Sequence, residues 1–338
     1  AGHTPQLALG QHVEDGLRGI LLGLGGADAA LLHEVGVLLV GAAVKDGHGC
    51  FHALHLRLLD VEQGALGLRQ SDALFAHVKR LPELADRLFS DIGTDAGFEA
   101  VGVSTRPRAV EGSYMPCFLA GESQARVLGA ALGVPVLPFS HQQGHIAASL
   151  WGSGHMELMD EPHLAWHLSG GTTELLRVTP EGKGSVHAEK IGGTTDISAG
   201  QLIDRTGKLL GLPFPSGKHI DALSRSAQDR QVFRVKVQGT TFSLSGVQNK
   251  VEQYHAAGNS PEETAGYALR CLIGAIVRAT ENALREYPGS SVVFAGGVAS
   301  NTLLRSSCAA LPAVFCPPQF ATDNALGVAV LTWRALHG

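Results

Sequence analysis

None of the five cysteines, Cys50, Cys117, Cys271, Cys308 and Cys316, stands in a Cys-x-x-Cys pair. Their odd number and wide scatter exclude a disulfide framework and a zinc knuckle, and predict reduced, cytoplasmic thiols. The chain also lacks an apolar run long and charge-free enough to span a bilayer. The Leu/Val/Ala-rich segment from Val35 to Val44 is too short, and the cationic start of a secretion signal is missing. An excess of positive charge is absent too: 26 Lys and Arg face 31 Asp and Glu, for a net charge of -5. With no global basic field, a nucleic-acid partner would need a local patch or a companion subunit. No short-period repeat is visible. What remains is a chain of 338 residues, 44% apolar and 17% charged, long enough for a real core in two lobes.

From about Leu56 onward, strand-like apolar runs alternate with helical periodicity, which predicts an α/β architecture. Ser71 is placed to cap a helix through Asp72, Phe75, Val78 and Leu81, with a break or restart at Pro82. A strand near Ala100 to Ser104, a helix from Phe118 to Leu132 stopped by Gly133, and a strand from Val134 to Phe139 lead into a histidine-bearing helix. A second unit opens with strand Leu164 to Leu168, the turn Ser169-Gly170-Gly171, and a returning strand from Thr172 to Val178. Helix Asp196 to Leu210, a hairpin-like stretch from Val232 to Phe242 and a long helix from Glu262 to Tyr287 follow, the last with Pro261 near its start. Strand Ser291 to Ala295, a Gly-Gly turn, helix Ser300 to Ala309, strand Ala313 to Cys316 and helix Asp323 to Leu336 close the chain. The division predicts a first lobe over residues 1–158 and a second over 159–338, with the last helix packing back on the first lobe.

His141 and His145 in His141-Gln142-Gln143-Gly144-His145 lie one helical turn apart, spaced for both imidazoles to bind one metal ion. The alternative is a chance pair in a chain with 16 histidines. Zinc proteases place a glutamate general base after the first histidine, whereas Gln142 offers an amide, which disfavours metallopeptidase chemistry. Asp323, at a loop-to-helix junction, is the candidate third ligand or else an ordinary cap. Two imidazoles and one carboxylate leave coordination positions open and suit Fe2+ or Zn2+. The glycines of Ser169-Gly170-Gly171 let backbone N–H groups approach a phosphate, or simply make a hairpin turn. At Gly296-Gly297 a strand meets a helix, so that a nucleotide can sit at the helix start beside Asn301; a tight crossover explains the glycines too. Asp204 suits a ribose, or an ion pair with Lys208. Phe242-Ser243-Leu244-Ser245-Gly246 reads as a surface turn.

Together these segments resemble the tRNA threonylcarbamoyladenosine synthase family, formerly called O-sialoglycoprotein endopeptidase or glycoprotease. The resemblance covers roughly Leu56 to Trp333. Ser140 to His145 is similar to the family's metal helix and Leu168 to Gly171 to its phosphate turn. The segment from Asp204 to Leu212, Pro215-Ser216-Gly217, Phe242 to Gly246, Ala295 to Val298 with Asn301, and Thr322-Asp323-Asn324 complete the series. The resemblance implies a two-lobed actin-like or sugar-kinase-like ATPase fold of duplicated ribonuclease-H-like lobes. It implies that His141, His145 and Asp323 hold one divalent metal, and that Leu168, Ser169, Gly170, Gly171, Asp204, Gly217, Gly296, Gly297 and Asn301 line a site for an adenine nucleotide or threonylcarbamoyl-AMP. The implied reaction is transfer of the threonylcarbamoyl group to the exocyclic amine of the anticodon-adjacent adenosine of tRNA, in the cytoplasm, with partner subunits of the same pathway and no membrane. No residue is assigned as general base.

Two features depart from that pattern. The family's opening Gly-Ile-Asp-Thr-Ser phosphate loop is not found between Ala1 and His55, which suggests a shifted reading frame or misplaced start over residues 1–55. Ser113 to Phe118 and Gly67 to Ser71 resemble a divergent bacterial paralogue branch. A non-catalytic assembly or regulatory subunit that binds nucleotide and metal is therefore the alternative function. Arg106, Arg108, Arg126, Lys183, Lys190, Arg205 and Lys208 are candidate tRNA phosphate contacts, or solvated surface.

Overall fold

The computed structural model describes residues 20–25, 37–46, 49–58, 70–92, 97–182, 184–321 and 324–337. Three strands, β1 (Ile20–Gly25), β2 (Val37–Asp46) and β3 (Gly49–Leu58), form an antiparallel meander. Helix α1 (Gln70–Ile92), strand β4 (Phe98–Arg106), helix α2 (Phe118–Leu132) and strand β5 (Val136–Ser140) follow, with β4 parallel to both β1 and β5. The resulting five-stranded sheet has the order β3-β2-β1-β4-β5.

After helix α3 (His141–Ser153), the same construction is repeated. Strands β6 (His163–Leu168), β7 (Thr173–Glu181) and β8 (Ser185–Thr194) are a second antiparallel meander. Next come α4 (Ala199–Leu209), α5 (Gly217–Ser224), the two-residue strands β9 (Val237–Gln238) and β10 (Thr241–Phe242), α6 (Ser245–Ala256) and α7 (Pro261–Glu286). Strand β11 (Val292–Ala295), helix α8 (Thr302–Ser307), strand β12 (Ala313–Phe315) and helix α9 (Asn324–His337) complete the chain. β11 runs parallel to β6 and β12, so the order β8-β7-β6-β11-β12 mirrors the first sheet strand for strand, with β10 and β9 added beyond β8. The connection between β1 and β2, where the missing opening loop would fall, lies outside the described residues.

The second core is the larger. It surrounds Trp166, Phe294, Leu168 and Ile276, with Trp166 wholly buried and its indole N–H donating to Thr280 Oγ1 at 2.8 Å. Such a bond removes the desolvation cost of the one polar atom of that side chain. α7 starts where the sequence says it should, with Ser260 as cap, Pro261 in the first turn, and Glu262 and Glu263 at the positive end of the helix dipole.

Several local expectations are corrected. α1 runs unbroken through Pro82: the proline and Val78, whose carbonyl it leaves without a helix partner, are both exposed, while Leu81, Leu84 and Leu88 stay buried. Ser71 lies inside the first turn, donating to Asp72, rather than capping it. α4 begins at Ala199, not Asp196, because Ser198 and Gln201 form a capping box there. The expected hairpin from Val232 is confined to 237–242. The expected helix from Ser300 to Ala309 is a 3-10 turn at Gly297–Ser300 followed by the six-residue α8.

Candidate nucleotide and metal site

Ser140 ends β5 and begins α3 in one step: its hydroxyl accepts from Gln143 N while Gln143 Oε1 accepts from Ser140 N at 2.8 Å. This capping box points His141 and His145 off the first two turns of a helix whose residues 141 to 150 are all buried. Burial on every side follows from its position, packed on α9 and in contact with strands of both sheets. The approach to α9 is close because two glycines face each other: a Cβ on Gly327 would stand 1.7 Å from the Gly144 carbonyl oxygen. Asn324, the first residue of α9, donates to the His141 carbonyl at 2.6 Å and accepts from Ser104 Oγ at 2.8 Å.

The two imidazoles meet at Nε2, 2.9 Å apart. Burial lowers the His141 pKa to about 4, opposed in part by Asn324, and burial with the neighbouring His141 and His167 drives His145 well down. Both rings are therefore neutral at pH 7, the form that ligates metal. Two nitrogens on one tetrahedral ion at roughly 2.0 to 2.1 Å stand about 3.4 Å apart. The pair is somewhat tighter than that, and without an ion between them one ring donates to the other. Neither Nδ1 has a hydrogen-bond partner among the described residues. Asp323 lies outside the described residues, and among those described no group of three or more His, Cys, Asp or Glu is arranged to hold a metal. Sequence reasoning missed His167, whose ring lies 5.2 Å from that of His145; it arrives from β6, so only the fold reveals it.

The glycine turns are neighbours. In the first, Ser169 N donates to the Thr172 carbonyl and Ser169 Oγ accepts from Thr172 N, while Thr173 Oγ1 accepts from Ala199 N at 2.7 Å and Ser198 Oγ donates to the Gly170 carbonyl. The turn therefore sits at the N-terminal end of α4. In the second, Gly296 has φ +93° and a Cβ there would stand 2.3 Å from the Leu168 carbonyl oxygen, so only glycine lets the two turns touch. Both lie at the carboxyl ends of adjacent parallel strands, β6 and β11, the usual ligand edge of such a sheet.

Asp204 is buried and accepts from Ser216 N at 2.8 Å; burial raises its pKa to about 6 despite that bond. Among the described residues it makes no ion pair with Lys208, which corrects that alternative. Ser216 brings Asp204 next to Gly217, the exposed first residue of α5. From α5, Asp221 accepts from Thr302 N and Oγ1, tying it to the start of α8. Asn301 spends its side-chain oxygen capping α8, on Leu304 N at 2.9 Å, which leaves its amide NH2 for a ligand. The Ser243-Leu244-Ser245 segment is more than a surface turn: Asp196 accepts from both hydroxyls and from Leu244 N, and these donors outweigh burial to hold its pKa at about 2.

Of the basic residues, Arg108 and Lys190 converge on buried Glu174, Arg126 pairs loosely with Glu122 at 3.7 Å, and Arg205 donates to Gln248. Lys183 lies outside the described residues. Burial pushes the Glu174 pKa upward, but Arg108, then Lys190, outweigh it and hold the carboxyl below its usual range. Among the described residues no helix is long and apolar enough to cross a membrane.

Two sheets of one repeated topology, with glycine turns at the carboxyl edge of the second, define an actin-like or sugar-kinase-like ATPase fold. Solved structures agree: a full-length HypF in phosphate- and nucleotide-bound form superposes with TM-score 0.60 at 15% identity, over 95% of this chain and 56% of that one. Component A of the (R)-2-hydroxyglutaryl-CoA dehydratase of Acidaminococcus fermentans superposes with TM-score 0.52 at 14% identity, over 94% and 99%. Residues 66–330 match the TsaD family, tRNA N6-adenosine threonylcarbamoyltransferase. Proteins of that name from Carboxydothermus hydrogenoformans and Streptococcus suis are each 31% identical, the first over 87% of this chain and 88% of its own length, the second over 72% and 77%. The chain belongs to the tRNA N6-adenosine threonylcarbamoyltransferase family.

Proposed function

We propose that this chain transfers the threonylcarbamoyl group from threonylcarbamoyl-AMP to the exocyclic amine of the anticodon-adjacent adenosine of tRNA. The nitrogen attacks the carbonyl carbon, the bond from that carbon to the phosphate oxygen breaks, AMP leaves with the bonding pair, and the amine proton passes to solvent. The site would lie between a first lobe over residues 1–158 and a second over 159–338. His141, His145 and Asp323 would hold one divalent metal, Fe2+ or Zn2+, supplying Lewis-acid polarisation and orientation of the acyl group. Leu168 to Gly171, Gly296 and Gly297 would receive the phosphate on bare backbone, Asp204 and Gly217 the ribose, and Asn301 the nucleotide through its free amide. Holding donor and acceptor together is the main source of rate in such a transfer. tRNA, with partner subunits of the same pathway, would meet the protein in the cytoplasm.

The observation that carries this reading is the placement of a neutral imidazole pair, 2.9 Å apart at Nε2, on a helix against the sheet that bears both glycine turns. The test is incubation of the purified chain with metal, threonylcarbamoyl-AMP and anticodon-loop RNA, with modified nucleoside read by mass spectrometry; no product at any metal or protein concentration refutes it. The absent Gly-Ile-Asp-Thr-Ser motif favours a second reading, a non-catalytic paralogue that binds nucleotide and metal as an assembly or regulatory subunit. Nucleotide binding without transfer selects it. A peptidase reading gains nothing from Glu174: its carboxylate accepts from two cations and from Gln142, which makes it a weak base.

A further inference from the structure

Glu174 is buried at 5% exposure, yet two cations share it. Arg108 Nε donates to Oε2 at 3.0 Å and Nη2 to Oε1 at 2.8 Å, a two-pronged pairing, and Lys190 Nζ stands 3.1 Å from Oε1. Gln142 Nε2 adds a longer bond at 3.4 Å. The cluster carries one positive charge more than it neutralises. Arg108 and Lys190 remain 44% and 50% exposed, and neither has another side-chain partner among the described residues. A guanidinium has five N–H donors and an ammonium three, so most of their donors stay available, and Glu174 fixes the direction in which they point.

The location gives this surplus a use. Glu174 faces His167 across the β6–β7 ladder, and the His167 ring lies beside His145. It follows the Ser169 to Thr172 turn by two residues, and its partner Gln142 follows His141. The cluster thus neighbours the imidazole pair through His167 and Gln142, and the first glycine turn through the chain. A structural ion pair needs one cation; a second adds charge without adding a bond that burial demands.

We infer that Arg108 and Lys190, oriented by Glu174, form an oxyanion-receiving subsite, and that its ligand is the carboxylate of the acyl group being transferred. This rests on the reaction proposed above. The shared chemistry is a planar or tetrahedral oxyanion, and a carboxylate suits a guanidinium fork beside an ammonium. The glycine turns are left for the phosphate.

The experiment is calorimetric binding of three ligands to the full chain: threonylcarbamoyl-AMP, its counterpart with the threonine carboxylate replaced by hydrogen, and AMP. The proteins are wild type, Arg108→Ala, Arg108→Lys and Lys190→Ala, each with its melting temperature. Each alanine variant is expected to weaken the intact ligand by roughly 10- to 100-fold, the cost of one charge-assisted pair. The other two ligands should stay within about twofold, and Arg108→Lys should fall between. Equal weakening of AMP assigns the cluster to the phosphate and overturns the inference. Unchanged affinity with a lowered melting temperature overturns it in favour of a latch between the sheets. If wild type binds the adenylate and the variants match it, the subsite alone fails; if wild type binds none of the three, the reaction proposed above fails with it.

Discussion

Gly327→Ala separates two opposed effects. Helix propensity alone says the change should stabilise, since alanine is favoured over glycine inside a helix by about 1 kcal/mol. The packing says otherwise. The new Cβ would stand 1.7 Å from the Gly144 carbonyl oxygen, 2.6 Å from its carbon and 2.8 Å from Ala148 N, and all three are backbone atoms that no rotamer change can move. To reach even a 3.0 Å contact, α9 and α3 must part by about 1.3 Å. Overpacking of this kind costs about 1–3 kcal/mol, and a rigid backbone neighbour puts it at or beyond the upper end. Net destabilisation of about 2 kcal/mol is expected, a fall in melting temperature of several degrees for a chain of this size. The displacement also pulls Asn324 from the His141 carbonyl, so metal affinity should fall together with stability. Thermal unfolding followed by circular dichroism, with cobalt titration of the same samples, reads both. A melting temperature that is unchanged or raised would refute the helix contact.

His141→Ala and His145→Ala should each abolish stoichiometric cobalt or zinc binding, read from the visible Co2+ spectrum; a variant that retains one equivalent removes the pair as ligands. Stability should decline as the pH falls from about 6.5 towards 4, because His77 and His141, both lowered to about 4 by burial, stay neutral in the fold while the unfolded chain takes up their protons. Each adds up to about 1.4 kcal/mol per pH unit. Asp204 works the other way, since with its pKa raised to about 6 the fold binds a proton first on acidification. Asp204→Asn should therefore steepen the acid loss in urea titrations; a shallower slope would contradict the assignment. The same variant keeps an acceptor for Ser216 N but loses the charge, and is expected to weaken adenosine nucleotide binding by about tenfold while leaving inorganic phosphate binding unchanged.

What could be read from the chain was local. The histidine pair is an i, i+4 relation on a helix that starts at a serine cap, and each glycine turn is a run of consecutive residues, so both were visible without the fold. Failures arose where a residue's partner is distant in sequence. Asp196 looks like a helix start but serves Ser243, Leu244 and Ser245, nearly fifty positions on, leaving Ser198 to begin α4. Asn301 is a local case: its side-chain oxygen caps its own short helix at Leu304, three residues on, and its amide NH2 is left over. The duplicated lobes were legible only through the family resemblance, because strand order is set by which edges pair and leaves no repeat in the residues themselves.

The same reasoning explains the Glu174 cluster. Gln142 spoke against a carboxylate beside the histidines, and at that position there is none. One arrives from β7, 32 positions further on, and its guanidinium partner lies 66 positions before it. A buried acid is tolerable only where its partners are certain to be present. Here they come from the end of β4, from β8 and from the histidine helix, so the two sheets must be assembled before the charge is paired. The pairing of this one carboxylate therefore couples the two sheets, and removing any one of Arg108, Lys190 or Gln142 leaves a buried charge with fewer donors than its burial requires.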